Sequence, residues 1–237
     1  VRVLVVTAVP VERDAVTRAF GGPEEHLTLP GAELHRCGAF DVLAGGAGPA
    51  AAAAATAFAL ASAAGAAGPY GLVVSAGIGG AFTPVTPLGS LIVADGIVAA
   101  DLGAETAEGF LPVTALGFGR DRFTPPPALV REVTAATGAA AGPVLTVSTV
   151  TGSAERAAAL LAAHPGALAE AMEGFGVAEA AARAGVPVLE VRAVSNAVGP
   201  RDRDAWRVGD ALAALTDAFG AAAPVLDVGN SHENPEG

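Results

Sequence analysis

The sequence predicts an α/β fold, a single domain in which a largely parallel or mixed sheet is covered by helices. Three observations carry this expectation. Strand-length apolar runs recur at residues 1–6, 41–44, 72–75, 91–94, 144–148 and 186–194. Helix-like stretches at 11–20, 50–64, 127–137, 154–163, 168–184 and 204–219 fall between several of them, and no internal repeat or Pro/Ser-rich linker divides the chain. Alternation of this kind builds a sheet with crossover helices, which takes ligands at the carboxyl ends of its strands. Polar groups that follow strands are therefore the ones to examine.

The first strand run leads through Thr7-Ala8-Val9-Pro10-Val11 to Glu12. An acid in the first turn of a helix complements its dipole and needs no catalytic role. A carboxylate at a strand's carboxyl end is also placed to take a proton from water, and both uses stay open.

The run at 41–44 enters Gly46-Ala47-Gly48-Pro49-Ala50-Ala51, a loose match to the dinucleotide pattern. That pattern needs an acid about 20 positions on to bind a ribose hydroxyl. Residues 42–94 carry no charged side chain, so a glycine turn entering the alanine-rich stretch at 50–64 is the better account. A membrane span does not fit there: alanine is weakly apolar, Gly65 and Gly68-Pro69 interrupt the run, and no basic flank or aromatic belt marks an interface. A small-residue helix packed tightly on a sheet does fit.

After 72–75 comes Ser75-Ala76-Gly77-Ile78-Gly79-Gly80, which offers a hydroxyl and backbone N–H groups that glycines leave open to a ligand, or else a plain turn. Thr149-Val150-Thr151-Gly152-Ser153 is similar, with Ser153 able simply to cap a helix beginning at Ala154. Met172 and Glu173 fall in a helix-like region, where methionine is commonly core filler. The run at 186–194 should cross a core yet carries Glu190 and Arg192. Side chains two apart on a strand share a face, and a buried unpaired guanidinium is costly. So the two pair with each other, or Arg192 faces a polar pocket. Ser195-Asn196 follows, as a strand-end turn or as part of that pocket.

Composition narrows the function. The 237 residues are 52% hydrophobic, enough for a large core, and 13 basic against 24 acidic residues give −11, which argues against nucleic acid or an anionic membrane as partner. All 13 basic residues are arginine, so Schiff-base chemistry, pyridoxal phosphate anchoring and a Walker lysine are excluded. Cys37, a lone cysteine, suits a reducing cytoplasm and reads as a buried spectator. His26, His35, His164 and His232 show no zinc spacing and are expected to be surface or structural, with no metal and no cofactor. No signal-peptide architecture opens the sequence. The folded domain is expected over 1–228, with 229–237 a mobile tail.

Glu12 after a first strand, SAG at Ser75 to Gly77, TGS at Thr151 to Ser153, AMEG at Ala171 to Gly174 and VRAVSN at Val191 to Asn196 together resemble the nucleoside phosphorylase and nucleosidase superfamily. Ser195-Asn196 followed by Val198-Gly199-Pro200-Arg201-Asp202 and Trp206 is most similar to its futalosine hydrolase family. The resemblance implies a three-layer α/β/α domain around a central mixed, largely parallel sheet. It implies a homo-oligomeric nucleosidase acting on a small purine nucleoside, futalosine, in menaquinone biosynthesis. By position, Glu12 would deprotonate a water aimed at the anomeric carbon, with Ser75 and Arg192 helping to hold that water and Gly77 a substrate-binding candidate beside them. Glu173 would accept from ribose hydroxyls with Met172 against the sugar, and the backbone at Val150 would meet the purine.

Adenine-specific relatives carry aspartate where this chain has Asn196, and an amide can donate to a 6-oxo group that an ionised carboxylate would repel. Asn196, beside Ser195, therefore points to hypoxanthine, with Asp202 a candidate to assist the leaving base. The strand before Ser75 lacks the arginine of phosphorolytic relatives, which favours water as nucleophile. The benzoate on the 5′ arm of futalosine calls for a cation and an aromatic surface. Arg201, Arg203 and Trp206 offer both, unless they form a solvated loop with Trp206 plugging the core. Alternatives are a methylthioadenosine/S-adenosylhomocysteine nucleosidase, a purine nucleoside phosphorylase and a non-catalytic nucleoside sensor.

Overall fold

The computed structural model describes residues 2–66 and 68–228. Along them run β1 (Arg2–Thr7), α1 (Pro10–Ala19), β2 (Glu25–Leu29), β3 (Ala32–Cys37), β4 (Phe40–Ala44), α2 (Pro49–Ala66), β5 (Tyr70–Ala81) and β6 (Leu91–Ala99). Then follow β7 (Gly103–Thr106), β8 (Gly109–Pro112), β9 (Arg122–Phe123), α3 (Pro127–Thr137), β10 (Ala140–Thr146), α4 (Ala154–Ala163), β11 (Ala169–Ala171), α5 (Gly174–Arg183), β12 (Val188–Ala197) and α6 (Val208–Val228).

The main sheet has the order β11-β10-β6-β12-β5-β1-β4-β3-β2, with β9 on β6. Its centre is parallel, β4-β1-β5-β12, and β10 runs parallel to both β6 and β11. The β12–β6 pair and the β2-β3-β4 edge are antiparallel, so the sheet is mixed as expected. It also curls on itself: β11 pairs antiparallel with β5 through Ala169↔Ala81 and Glu170↔Gly80, closing β5, β12, β6, β10 and β11 into a ring.

Burial on both faces explains the apolar runs, since a strand covered by helices on each side has no solvent face to alternate with. Val3 and Val5 of β1 join Leu72, Val74, Val133, Leu215 and Phe219 in one core, beneath α3 and α6. Leu4 and Val6 point the other way into a second core with Val73, Ala52, Ala55, Ala59, Val177 and Ala181, beneath α2 and α5. The alanine-rich stretch is thus α2, packed against α5, where Gly176 lies so close to the Pro49 carbonyl that a Cβ would overlap it. Among the described residues no helix is long and apolar enough to cross a membrane.

The structure departs from expectation at three places near the strand ends. The stretch 168–184 is not one helix: Ala169-Glu170-Ala171 is a buried strand, and the helix starts only at Gly174. Alanine and glutamate favour helix locally, but pairing with β10 and β5 outweighs that weak preference. The strand at 72–75 continues to Ala81, so the SAG segment lies within β5 and is not a turn. The last helix begins at Val208 rather than 204, after a 3-10 turn at Arg203–Ala205. The tail at 229–237 lies outside the described residues. Gly176→Val should overpack the α2–α5 contact and cost about 1–3 kcal/mol in a denaturant melt; unchanged stability would mean that the two helices separate freely.

Candidate active site

The strand ends β1, β5, β10, β11 and β12 meet at a cavity of about 230 Å³, lined in part by Glu12, Ile78, Gly79, Gly80, Val150 and Thr151. Glu170, Met172, Glu173, Ser195, Asn196 and Trp206 complete much of the rest. Residues from positions 12 to 206 therefore share one pocket.

Behind the lining lies Arg192, fully buried in the middle of β12. Nε donates to Glu190 Oε1 at 2.9 Å, Nη1 to Glu173 Oε2 at 3.2 Å, and Nη2 to Ser75 Oγ at 3.0 Å. Both sequence alternatives hold at once, the pair with Glu190 and the reach towards a pocket. Burial opposes the charge, but Glu190, Glu173 and Glu12 outweigh it and hold the guanidinium proton above its ordinary range. Gly77, opposite Arg192 in the β5–β12 register, makes room: a Cβ there would stand 2.7 Å from Glu12 Oε1 and 2.8 Å from Arg192 Nη1.

Glu12 sits at the third position of α1 and reaches back, Oε2 accepting from Ala8 N–H at 3.0 Å and Val9 N–H at 3.2 Å. Its Oε1 accepts from Ile78 N–H at 2.9 Å. The helix-capping use and the strand-end use are therefore the same geometry. Burial pushes the Glu12 carboxyl above the usual carboxylate range, opposed by the Ile78 N–H and by Arg192. A raised pKa makes it a better proton acceptor once ionised.

Glu173 is the residue just before α5. Its Oε1 accepts from Gly48 N–H at 3.2 Å, and Oε2 also accepts from Met172 N–H at 3.3 Å. At the far end, β12 carries a bulge: the register with β5 shifts between Val194 and Asn196, so Ser195 is the extra residue. Ser195 Oγ lies 2.8 Å from Asn196 Oδ1 and donates to it or to Gly79 O, while Asn196 Nδ2 donates to Ala197 O at 3.0 Å. The second amide hydrogen remains to serve a ligand.

The chain belongs to the phosphorylase superfamily. The model of that family matches residues 7–226. A Streptomyces coelicolor futalosine hydrolase is 66% identical over 97% of this chain and 98% of its own length, and one from Acidothermus cellulolyticus is 43% identical over 93% and 90%. These identities place the chain in the futalosine hydrolase family. The native structure of the Helicobacter pylori futalosine hydrolase shares the fold, with a TM-score of 0.78 at 17% identity over 95% of this chain and 97% of that one.

Within this family member, Glu12, Val150, Met172, Glu173, Ser195, Asn196 and Trp206 line the cavity, with Ser75, Gly77 and Arg192 directly beneath. Asp202 is exposed just before the 3-10 turn and is not among the lining residues. Trp206 is half-buried in the lining with the Arg201 guanidinium 5.5 Å from its ring centre, so it is not a core plug. Among the described residues no arginine lines the cavity.

Two contributors escaped the sequence reading. Gly48 belongs to the glycine turn, whose role is to aim a backbone N–H at Glu173. Glu170, 4% exposed, was hidden inside an expected helix; its only signal was an acid in an otherwise apolar alanine run. Arg192→Met should leave Glu190 buried without its cation and cost about 3–5 kcal/mol near neutral pH. Burial already raises the folded-state pKa of Glu190, and the variant raises it further, so stability returns as pH falls and the carboxyl protonates. Melts across pH check this, and a variant as stable as the parent at pH 8 would contradict it.

Proposed function

We infer that this chain hydrolyses the N-glycosidic bond of futalosine, releasing hypoxanthine and dehypoxanthine futalosine, a step in menaquinone biosynthesis. The observation that carries this is the convergence of Glu12, Glu173 and Asn196 on one cavity above a single buried guanidinium.

The family resemblance suggests a role for each residue, and the geometry supports it. Glu12 takes a proton from water as its oxygen bonds to the anomeric carbon, and the electron pair of the C–N bond leaves with the purine, which takes up a proton. The sugar passes through an oxocarbenium-like state, which the Glu12 and Glu173 carboxylates stabilise. Glu173 is held on both oxygens by Gly48, Met172 and Arg192, which orients it to accept from ribose hydroxyls. Ser75 and Arg192 act beneath the site as positioning residues, Gly77 as the gap that lets them meet Glu12, and Met172 packs against the sugar. The backbone at Val150 meets the purine, and Asn196, fixed by Ser195, donates to its imidazole or 6-oxo edge without serving as an acid. Trp206 with Arg201 supplies an aromatic face and a cation for the 5′ benzoate. Water as the nucleophile fits a cavity wall without arginine.

The enzyme acts in the cytoplasm, in keeping with its lone thiol: Cys37 is buried and pushed up to about 11 by that burial, so it is inert at neutral pH. It works as a homo-oligomer, a reading supported by the exposed Leu102, Phe110, Leu111 and Phe118, and sedimentation at a single monomer mass would overturn it.

The deciding experiment incubates the protein with futalosine, inosine and methylthioadenosine, each with and without phosphate. Hypoxanthine should appear from futalosine independently of phosphate; strict phosphate dependence would overturn the hydrolase assignment, and preference for methylthioadenosine would overturn the substrate. Glu12→Gln should lower kcat by about 10²–10⁴-fold with binding retained. Glu12 works only when ionised, so the acid limb of kcat/KM should have its midpoint above the 4.5 of an ordinary glutamate. A midpoint at or below that value would remove Glu12 as the base.

A further inference from the structure

Glu170 is a buried carboxylate in the cavity wall to which the hydrolytic chemistry assigns no role. Thr151 holds it from one side, its N–H donating to Oε1 at 2.8 Å and its hydroxyl donating to Oε2 at 2.5 Å. An ionised carboxylate has about four acceptor positions, so two remain. Register fixes where they can point. Glu170 on β11 pairs with Gly80 on β5, and Gly80 pairs on its other side with Asn196 on β12. Residues paired across neighbouring strands point to the same face, so Glu170 and Asn196 flank a glycine, with Cα atoms two strand spacings, about 10 Å, apart. Gly80 puts no side chain between them; a Cβ there would stand 3.0 Å from Val198 Cγ2 and 3.1 Å from Asn196 Nδ2.

A slot with an acceptor on one side and a donor on the other matches a flat ring that offers N–H and C=O side by side. We propose, on the basis of the function inferred above, that Glu170 accepts the N1–H of the 6-oxopurine while Asn196 donates to its O6 or N7. A 6-aminopurine has a lone pair at N1, which would face the carboxylate with repulsion. Selection between the bases thus rests on two side chains outside the hydrolytic centre. Burial pushes the Glu170 carboxyl up and the two Thr151 bonds draw it down; an N–H arriving from the base adds to the bonds that favour the ionised form.

The test measures binding of free hypoxanthine and adenine by calorimetry to the full chain and to Glu170→Gln, which needs no turnover. Glutamine can turn its NH₂ towards the adenine N1, so the preference for hypoxanthine should narrow at least tenfold. An unchanged preference overturns the assignment. 1-Deazahypoxanthine, which lacks the N1–H, should bind the unaltered protein at least tenfold more weakly than hypoxanthine; equal binding also overturns it, whether or not the variant folds. Failure to cleave futalosine, with these base preferences intact, would instead count against the proposed function alone.

A second observation lies on the opposite edge of the sheet. His26 and His35 are direct cross-strand partners in β2–β3, with ring centres 4.2 Å apart, and Glu33 stands two residues before His35 on the same face. One ligand atom from each of the three lies within 4.8 Å of the others. His35 is 5% exposed, and neither of its ring nitrogens has a hydrogen-bond partner, a costly arrangement for a buried imidazole. Asp14 Oδ1 is 3.8 Å from His35 Nδ1, and the Arg13 guanidinium now holds that oxygen at 2.9 Å and Glu33 Oε2 at 2.8 Å, so an entering cation takes the place of Arg13.

Two imidazoles and a carboxylate suit zinc and its late first-row neighbours. We propose that His26, Glu33 and His35 form a divalent transition-metal site, with Asp14 as an additional donor. Such a site is invisible to spacing along the chain because its ligands join across a strand pair. Chelator-treated protein titrated with Zn²⁺ should bind one ion, and Co²⁺ should give a visible absorption band. His26→Ala and Glu33→Gln should each weaken binding at least tenfold, with metal-free nucleosidase activity unaffected by His26→Ala. No saturable binding, or binding equal in parent and both variants, overturns the site.

Discussion

The buried guanidinium of Arg192 is the interaction on which the site depends. It lies at the centre of β12 with no access to water, and it survives there because Glu190, Glu173 and Ser75 take its hydrogens. These partners come from β12, the turn before α5 and β5, so one cation fixes the relative placement of three elements. Glu12 joins from α1 and is drawn to the same charge. Three carboxylates around one cation would repel one another in its absence. Burial is what chiefly raises Glu12, with Glu173 adding to it and the Ile78 N–H and Arg192 opposing, so the carboxylate is kept basic.

Much of this was legible in the sequence because burial writes strong signals. An unbroken apolar run marks a strand covered on both faces, so β1, β4, β6 and the start of β5 were recognisable. The oddity of Glu190 and Arg192 inside such a run points to the pocket from sequence alone. The edge strands β2 and β3 were not recognised: β2 is largely exposed and has little apolar alternation to read. Nor was β11, since three residues of alanine and glutamate look helical until pairing on both sides decides otherwise. Missing β11 hid Glu170, and ending the strand at Ser75 hid the register that sets Gly80 between Glu170 and Asn196. Asp202 shows the opposite error, a residue near the motif in sequence but outside the pocket in space.

Local composition and global geometry meet in the small residues. Gly77, Gly80, Gly174 and Gly176 are each placed where a side chain would collide with a functional or packing neighbour. At Gly174 that neighbour is Glu190, at Gly77 it is Glu12 and Arg192, and at Gly176 it is the backbone entering α2. The alanine-rich helix belongs to the same pattern, since close approach of α2 to α5 brings the Gly48 turn within reach of Glu173. The composition that at first suggests filler is what lets the polar centre be compact.

The irregularity at Ser195 has a further consequence. Because side chains alternate along a strand, one extra residue reverses which positions face the cavity from there onward, while everything upstream stays in phase with β5. Arg192 lies upstream and Asn196 downstream. The two polar side chains of one strand are therefore turned to different faces of the sheet, the guanidinium towards its buried carboxylates and the amide to the face it shares with Glu170.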